Sequence, residues 1–314
     1  MELSIIIMSW NTRAMLRECL LSVFTNAPEG NFEIIVVDNA PTDGSQELVR
    51  QEFPSVTLIE NAQNLGFAAA NNKAIRQTSG RHFLLLNSDT IIHAGVLQQS
   101  LDYMTTNDRI GAMGCRVLNR DGSLQHSTSQ FPSFLNLCIQ TLALDRIPNI
   151  PFFRRYRMLD WQRKEAGAVE TISGCYMMVR RECANAIGLL DEHFFFFGEE
   201  TDWCKRMREN EWQVHFAPVG EITHFGGGSS HTLSHRRDLM LTQATVRLHL
   251  KHSGRIMAAA VFALLLIFNT SRAIFWSLKT MFNSTEASQR RKLHSIKVIK
   301  GFVSAWPSGK GAML

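Results

Sequence analysis

Residues 32–49, "FEIIVVDNAPTDGSQELV", decide the fold. The apolar run "IIVV" is typical of a strand that is buried on both faces of a parallel sheet. The run ends at Asp38 and Asn39, and a turn rich in Pro, Asp and Gly then leads into the helical pattern "GSQELV". A buried strand that ends in polar residues and passes into a helix predicts one unit of an α/β sheet.

The same unit recurs along the first third of the chain. The stretches "LSIIIMS" at 3–9, "VTLIEN" at 56–61 and "HFLLLNSDT" at 82–90 have strand patterns, each followed by a helical pattern. Residues 119–170 are less regular, and we expect an insertion there; regularity returns with "AVETISGCYMMVRR" at 168–181. The alternation predicts an α/β fold with a mostly parallel central sheet flanked by helices.

Composition narrows the class of protein. At 314 residues with 45% hydrophobic and 19% charged residues, the chain can bury a sizeable core. Six scattered cysteines without a C-x-x-C pair indicate reduced thiols in a cytosolic setting. The N-terminal "MELSIIIMSWN" lacks a basic region and a long apolar region, so we expect no secretory signal.

The charge is distributed unevenly. Residues 247–314 contain eleven Lys and Arg against one acidic residue, a charge of +10, while the preceding residues have a charge of −5. A basic tail predicts an anionic surface as its partner, and nucleic acid and a lipid leaflet both qualify. The apolar segment 256–278, "IMAAAVFALLLIFNTSRAIFWSL", contains Phe275, Trp276 and basic flanks, which favours a membrane and argues against nucleic acid.

That segment leaves two readings open. Its first thirteen residues span about 20 Å as a helix, short of a hydrocarbon core of about 30 Å, so we expect it to lie in or dip into the membrane surface. The alternative is a buried C-terminal core helix. We place the domain boundary so that 1–235 form a catalytic domain and 236–314 a basic, helical, membrane-associating region.

Polar residues stand at the ends of three of the four predicted strands, and another polar residue comes shortly after the remaining strand. They are Ser9-Trp10-Asn11, Asp38-Asn39, Asn87-Ser88-Asp89 and, after the third strand, Asn64. Such residues also cap helices, but several in register favour a ligand crevice at the carboxyl edge of the sheet. The glycine motifs of dinucleotide dehydrogenases and P-loop enzymes are missing from the sequence, so a carboxylate-held metal is the expected route to binding phosphates.

Two further groups of residues are candidates for metal binding and for catalysis. Asp89 and His224 could share a divalent ion such as Mn²⁺, although His224 could equally be an ordinary strand-end histidine. His231 and His235 are expected on a solvated face. In "DEHFFFFGEETDWCKRMREN" at 191–210, the acidic residues are either the first turn of a helix or include a catalytic base.

The joint order of these motifs resembles a known family. "SIIIMSWNTRAMLRECLLSV", "FEIIVVDNAPTDGSQELV", "ENAQNLGFAAANN" and "LLLNSDT" follow one another as in family 2 glycosyltransferases with the GT-A fold. "ISGCYMMVRRE", "GLLDEHFFFFGEETDWCKRMRENEWQV" and "HFGGGSS" resemble the bacterial rhamnosyltransferase-like branch, so that the resemblance covers residues 3–235. It implies sugar transfer from a nucleoside diphosphate sugar to an acceptor hydroxyl, with inversion and a divalent cation, Mn²⁺ or Mg²⁺.

The resemblance assigns a nucleotide-sugar site to the first half of the chain. Met8 and Trp10 stand where the family borders the base, and Asp38 matches the aspartate that hydrogen-bonds it. Asn71 stands where many relatives have an arginine near the nucleotide, so that contact is weakened or replaced in this chain. The nucleotide-sugar-binding set is completed by Asn64 and Gly66 of the "ENAQNLGFAAANN" motif and by Asn87, Ser88 and Asp89.

The resemblance also assigns the metal and catalytic residues. The family's D-x-D signature stands here as Asn87-Ser88-Asp89, so the first position lacks its charge. Asp89 and His224 match the metal ligands. Glu200 matches the catalytic base, and Asp202 is expected to orient the site or the acceptor.

The rest of the acidic helix has structural expectations. Glu199 is expected to cap its N-terminus, and Trp203 and Met207 are expected to pack inward.

Likeness to the rhamnosyltransferase branch implies dTDP-rhamnose as the donor. The basic tail suits a polyprenyl-diphosphate-linked saccharide as the acceptor, at the cytoplasmic face of a bacterial plasma membrane. The protein is expected to be bound there peripherally or monotopically. The alternatives are a non-catalytic nucleotide-sugar-binding protein, which Asn87 favours, and a nucleotide-sugar hydrolase.

Overall fold

The computed structural model describes residues 1–226 and 234–307 and has the predicted α/β architecture. The strands are β1 (Leu3–Ser9), β2 (Phe32–Asp38), β3 (Thr57–Glu60), β4 (His82–Asn87), β5 (Thr90–Ile92), β6 (Ile110–Leu118), β7 (Thr128–Ser129), β8 (Gly167–Ala168), β9 (Thr171–Ile172), β10 (Tyr176–Arg180) and β11 (Gln213–His224). The helices are α1 (Arg13–Thr25), α2 (Ser45–Glu52), α3 (Gly66–Ile75), α4 (Val96–Thr105), α5 (Phe134–Thr141), α6 (Pro151–Arg154), α7 (Arg181–Ile187), α8 (Glu199–Glu209), α9 (His235–His252), α10 (Gly254–Phe282) and α11 (Glu286–Gly301).

The central sheet has the order β3-β2-β1-β4-β10-β6-β11-β5, with β8 paired to β11. Strand β1 lies parallel to both β2 and β4, and β2 lies parallel to β3. Strand β10 is antiparallel to β4 and β6, while β11 is parallel to β6. The carboxyl ends of β1, β2, β3 and β4 therefore meet at one edge of the sheet.

The core lies against both faces of the first strands. Ile5 and Ile7 of β1 are fully buried in one apolar cluster with Leu16 and Leu20 of α1, and Ile6, which points to the opposite face, is fully buried as well. This burial explains why β1 and β2 read as continuous apolar runs instead of alternating ones.

Strand β6 was not predicted, although it lies inside the sheet. Its sequence, "IGAMGCRVL", is interrupted by Gly111 and Gly114, which weaken a strand pattern. Close packing explains Gly111, where a Cβ would lie 2.7 Å from the Sγ of Cys183; at Gly114 a Cβ would lie 3.4 Å from Ile172, an ordinary contact distance. The predicted irregular stretch 119–170 contains only short elements, β7, α5, α6 and β8.

The chain divides into two compact units. Among the described residues, the first contains 1–131, 157–191 and 200–226, and the second contains 132–156, 192–199 and 234–307. The predicted boundary after residue 235 stays a prediction, as the second unit also takes in two earlier ranges.

Helix α10 is the apolar C-terminal segment. Of the described residues, it is the one helix long and apolar enough to cross a membrane by length and composition. One side of it packs with Leu137 and Val246 and with Leu239 and Val298. Only 11% of its most apolar window is buried, which disfavours the alternative of a buried core helix.

Candidate active site

The predicted site residues gather at the carboxyl edge of the sheet. Ser9 at the end of β1 is in register with Asp38 at the end of β2, and Met8 is in register with Asn87 at the end of β4. Strand order reverses at β1, because β2 follows it in sequence on one side and β4 lies on the other. In open α/β sheets, such a reversal opens the crevice in which ligands bind.

A chain of buried hydroxyl groups joins the ends of β1 and β4. The Oγ of Ser9 lies 3.1 Å from Thr12 Oγ1, which in turn lies 2.8 Å from Ser88 Oγ. All three residues are buried. Ser88 is therefore part of the scaffold that fixes the turn between Asn87 and Asp89, and Thr12 is a partner that sequence reasoning missed.

A cluster of amides fixes the turn that precedes α3. Asn39 donates to Asn64 Oδ1 at 2.7 Å and accepts from the backbone N–H of Leu65 at 2.9 Å and from Asn61 at 3.2 Å. Gly66 donates its N–H to Asn64 Oδ1 at 2.9 Å and has a positive φ of 80°, which a glycine adopts without strain. Asn64 and Gly66 thus occupy a preorganised turn at this edge.

Asp38 is a buried carboxylate with spare acceptor capacity. The residue is 1% exposed, and neither carboxylate oxygen has a hydrogen-bond partner of normal geometry within the part of the chain that is described. Burial raises the pKa of Asp38 to about 6, and the nearby Gln46 side chain partly offsets this. Such a group gains most from a ligand that donates hydrogen bonds to it.

Three more predicted nucleotide contacts lie around this edge. Met8 and Trp10 are half-buried at the end of β1. Asn71 is buried within α3, and its amide donates to the Phe67 carbonyl at 2.9 Å. The Asn71 side-chain amide therefore already donates a hydrogen bond within its own helix.

Asp89 and His224 come together although 135 positions separate them in the chain. Strand β11 pairs antiparallel with β5, which places His224 opposite Thr90. The His224 Nε2 lies 3.2 Å from Asp89 Oδ1 and 3.3 Å from Asn87 Nδ2. The structure therefore brings three of the predicted residues into one cluster.

Gln125 orients the His224 ring. The Nδ1 of His224 lies 2.7 Å from Gln125 Oε1, and the Gln125 Nε2 donates to Asn119 Oδ1 at 2.8 Å and to the His224 carbonyl at 3.4 Å. With its nitrogen facing two oxygens, the Gln125 amide presents Oε1 to the ring, so Nδ1 donates its proton to Gln125 and Nε2 is the ring atom that faces Asp89. No sequence pattern points to Gln125, which lies in the irregular stretch 119–170.

This donor set fits a divalent cation. The imidazole Nε2 of His224 and a carboxylate oxygen of Asp89 lie 3.2 Å apart, and both atom types are ligands that divalent transition metals accept. Neighbouring ligands at about 2.1 Å from an octahedral ion are about 3 Å apart, close to this separation. The described residues, 1–226 and 234–307, contain no group of three or more His, Cys, Asp or Glu suited to a metal.

Glu200 lies beside this edge in the first turn of α8. Its Cβ is 4.0 Å from the position that a Cβ on Gly174 would occupy, and Phe67 Cζ lies 3.2 Å from the same point. The next residue, Cys175, accepts the backbone N–H of Asn87 at 3.1 Å. The Gly174 segment, also missed by sequence reasoning, thus joins the start of α8 to the turn that contains Asp89.

The other acidic residues of α8 have different surroundings. Asp202 is fully buried, and its Oδ2 accepts from Arg206 Nε at 2.8 Å. Arg206 also donates to the carbonyls of Ile187 and Leu189. The burial favours a positioning role for Asp202 over direct contact with an acceptor.

The predicted inward face of α8 is confirmed. Trp203 and Met207 are fully buried, and Trp203 stacks on Phe83 of β4 with ring centroids 6.1 Å apart. The helix begins at the buried Glu199, after Gly198 with its positive φ of 85°. A Cβ at Gly198 would lie 3.2 Å from the ring of the buried Phe194, so the phenylalanine run does precede a tightly packed helix start.

Comparison with known proteins identifies the family. The model of the family "Glycosyl transferase family 2" matches residues 4–188, more than half of the chain. This chain belongs to glycosyltransferase family 2. The match includes the strand ends from Met8 to Asp89, whereas Glu200, Asp202 and His224 lie beyond it.

Relatives and solved structures agree with that membership. An N-acetylglucosaminyl-diphospho-decaprenol L-rhamnosyltransferase from Mycobacterium tuberculosis is 26% identical over 254 residues, 76% of this chain and 81% of the relative. The family 2 chain is similar in fold to the mannosyltransferase PcManGT from Pyrobaculum calidifontis in complex with GDP-Man and Mn²⁺, with a TM-score of 0.56, 15% identity and coverage of 97% of this chain and 86% of that one.

A further solved structure is that of GalNAc-T7 with UDP, GalNAc and Mn²⁺, which has a TM-score of 0.58 at 14% identity and covers 96% of this chain and 56% of that one. The expected GT-A architecture and the resemblance to the rhamnosyltransferase branch are thereby confirmed.

Proposed function

We propose that this family 2 enzyme is an inverting, metal-dependent transferase that moves rhamnose from dTDP-rhamnose to a hydroxyl of a polyprenyl-diphosphate-linked saccharide. The reaction would serve the assembly of a surface polysaccharide, such as O-antigen, capsule or cell wall. The observation that best supports this function is the likeness, over 76% of the chain, to a relative whose name contains both an L-rhamnosyl group and a diphospho-decaprenol acceptor.

The site chemistry supports transfer with inversion. Glu200, at the start of α8, is the proposed base: it takes the proton of the acceptor hydroxyl as that oxygen attacks the anomeric carbon opposite the leaving diphosphate. A positioned general base contributes about 10²–10⁴ in rate. Asp38 accepts from the base of the nucleotide, and its burial excludes water from that contact.

Asp89 and His224 are the proposed metal ligands, with Gln125 fixing the tautomer of the histidine. Bound Mn²⁺ or Mg²⁺ would supply neutralisation of charge on the leaving diphosphate. Asn87 hydrogen-bonds near this pair without adding charge, which leaves Asp89 as the single carboxylate of the signature.

Helix α10 supports action at a membrane surface. Five of its exposed large apolar side chains lie along one face, one to three turns apart: Ile256, Ile267, Ile274, Leu278 and Phe282. Its opposite side packs on Val246 and Val298 within its own unit. A helix held on one side and apolar on the other is suited to lie in the interface, which agrees with peripheral or monotopic attachment at the cytoplasmic face.

The proposed function is tested by measuring how the donor dTDP-rhamnose is consumed. With dTDP-rhamnose alone the enzyme should release dTDP slowly, and addition of a polyprenyl-diphosphate-linked saccharide should accelerate release and transfer labelled rhamnose to the lipid. Equal release without the acceptor would identify a hydrolase, and binding without release would identify a non-catalytic module; either outcome contradicts the proposal.

A further inference from the structure

A basic pocket lies in the second unit, among α9, α11 and the 3-10 turn at Phe302–Ala305. Its volume is about 590 Å³, and its lining includes His235, Arg236, Lys297, Lys300 and Ser304. None of the lining residues of this pocket is acidic. A concave surface with several cations and no acid concentrates positive potential and attracts an anion.

The nearest acid on α9 is already engaged. Asp238, in the first turn of α9, accepts from His294 of α11 at 2.9 Å and is not part of the lining. Leu239, Val298 and Phe302 pack together in one apolar cluster, which fixes the backbones from which the exposed cationic side chains extend. Arg236, near the start of α9, lies on one side of the pocket. Lys297 and Lys300 of α11, almost one turn apart, lie on the other side.

Apolar side chains adjoin the pocket residues in sequence. Leu293, one turn before Lys297, is 59% exposed, and Val303, next to Ser304, is 82% exposed. The same cluster that supports the pocket also includes Phe262 and Leu265 of α10. Cations in a cavity with exposed apolar side chains beside them match a phosphate group that is attached to a lipid.

We propose that this pocket binds the diphosphate group of a prenyl-chain lipid, with Lys297, Lys300 and Arg236 paired to its oxygens and Ser304 donating a hydrogen bond. The inference rests on the lipid-linked acceptor of the proposed function, and adds a site for that lipid outside the sheet edge. Charge-assisted bonds to phosphate are about twice as strong as neutral ones, and a diphosphate offers more charge than a phosphodiester headgroup.

The experiment uses the full chain and vesicles without any donor sugar. Phosphatidylcholine vesicles contain either a polyprenyl diphosphate or phosphatidylglycerol, with the lipid fractions adjusted so that the surface charge is equal. We expect wild-type protein to prefer the diphosphate vesicles at least tenfold, and Lys297→Gln/Lys300→Gln to lose that preference while its affinity for them falls roughly 30-fold.

The matched control removes two charges from the same helix. Arg290→Gln/Lys292→Gln should keep the preference, because neither residue lines the pocket. Loss of preference in both double variants, or no preference in wild-type protein, would overturn the inference. So would soluble pyrophosphate binding as tightly as the lipid, since the ligand would then be free phosphate.

Failure here can be separated from failure of the proposed transfer. A protein that transfers rhamnose to the lipid-linked acceptor but shows no vesicle preference lacks this pocket function alone. A protein that shows the preference without transfer has the pocket function and lacks the activity.

Discussion

Replacement of Gln125 by Met should weaken metal binding while leaving both metal ligands in place. The methionine removes the acceptor that lies 2.7 Å from His224 Nδ1 and the donor that lies 2.8 Å from Asn119 Oδ1. Without the acceptor, the His224 ring can rotate and can move its proton to Nε2, the atom that faces Asp89. Loss of such a supporting partner costs 10–100-fold in metal affinity, about 1.4–2.8 kcal/mol.

The matched variant is Gln125→Glu. It loses the same donor to Asn119 but keeps an oxygen for the His224 Nδ1–H and adds a negative charge, so it should bind Mn²⁺ at least as tightly as wild-type protein. Either variant loses about 1 kcal/mol of folding stability for the Asn119 bond, which thermal unfolding would measure. This shared loss separates the effect on the metal from the effect on the fold.

The assay is a calorimetric titration of Mn²⁺ into each protein at saturating dTDP, with UDP in parallel. We expect Gln125→Met to bind Mn²⁺ 10–100-fold more weakly than Gln125→Glu. Equal affinities in the two variants would refute the assignment of Gln125 as the residue that orients His224.

Three further outcomes follow from the structure. Because the folded state holds the Asp38 proton up to about pH 6, wild-type stability should fall as pH rises from about 4 to about 6, and Asp38→Asn should remove that slope in denaturant titrations. Nucleotide affinity should rise over the same range as Asp38 ionises; an affinity independent of pH would count against its role. Asp202→Ala should cost about 3 kcal/mol of unfolding free energy, because it leaves Arg206 without its carboxylate, and an unchanged unfolding midpoint would contradict the positioning role. Ile274→Glu, at a side chain 56% exposed, should reduce binding to anionic vesicles at least tenfold with little change in melting temperature, since burying one such side chain in lipid is worth about 1.5–3 kcal/mol. Leu142→Glu, at a residue 67% exposed outside α10, should leave vesicle binding intact, and equal losses in both would contradict the α10 assignment.

The strand ends were predictable because they obey local rules. Buried parallel strands read as apolar runs, and their last residues, such as Asp38 and Asn87, are polar because they border the crevice at the carboxyl edge of the sheet. The inward face of α8 was predictable from the four-residue spacing of Trp203 and Met207.

The contacts between distant segments were not predictable from local patterns. Asp89 meets His224 because β11 pairs with β5, and that pairing depends on where β6 lies. Strand β6 was missed because Gly111 weakens its strand pattern. The reason for this glycine is the close contact with Cys183, which is distant in the sequence. The direction of β10 was equally hidden, since a buried strand has the same apolar pattern in either orientation.

Gln125 shows a second reason for incomplete prediction. It lies in an irregular segment, and its role depends on Asn119 and His224, which are six and 99 positions away. A glutamine without a periodic pattern around it carries no signal of a supporting role. Residues that act through another side chain are found from geometry.

The most direct measurement is turnover and donor affinity of Glu200→Gln, compared with Glu209→Gln at the opposite end of α8. The amide cannot take the proton of the acceptor hydroxyl, so we expect rhamnosyl transfer by Glu200→Gln to fall by about 10²–10⁴ while the Kd for the nucleotide sugar stays within a factor of two or so. Glu209→Gln should transfer at the wild-type rate. Normal transfer by Glu200→Gln would contradict the account, because it would remove Glu200 from the reaction.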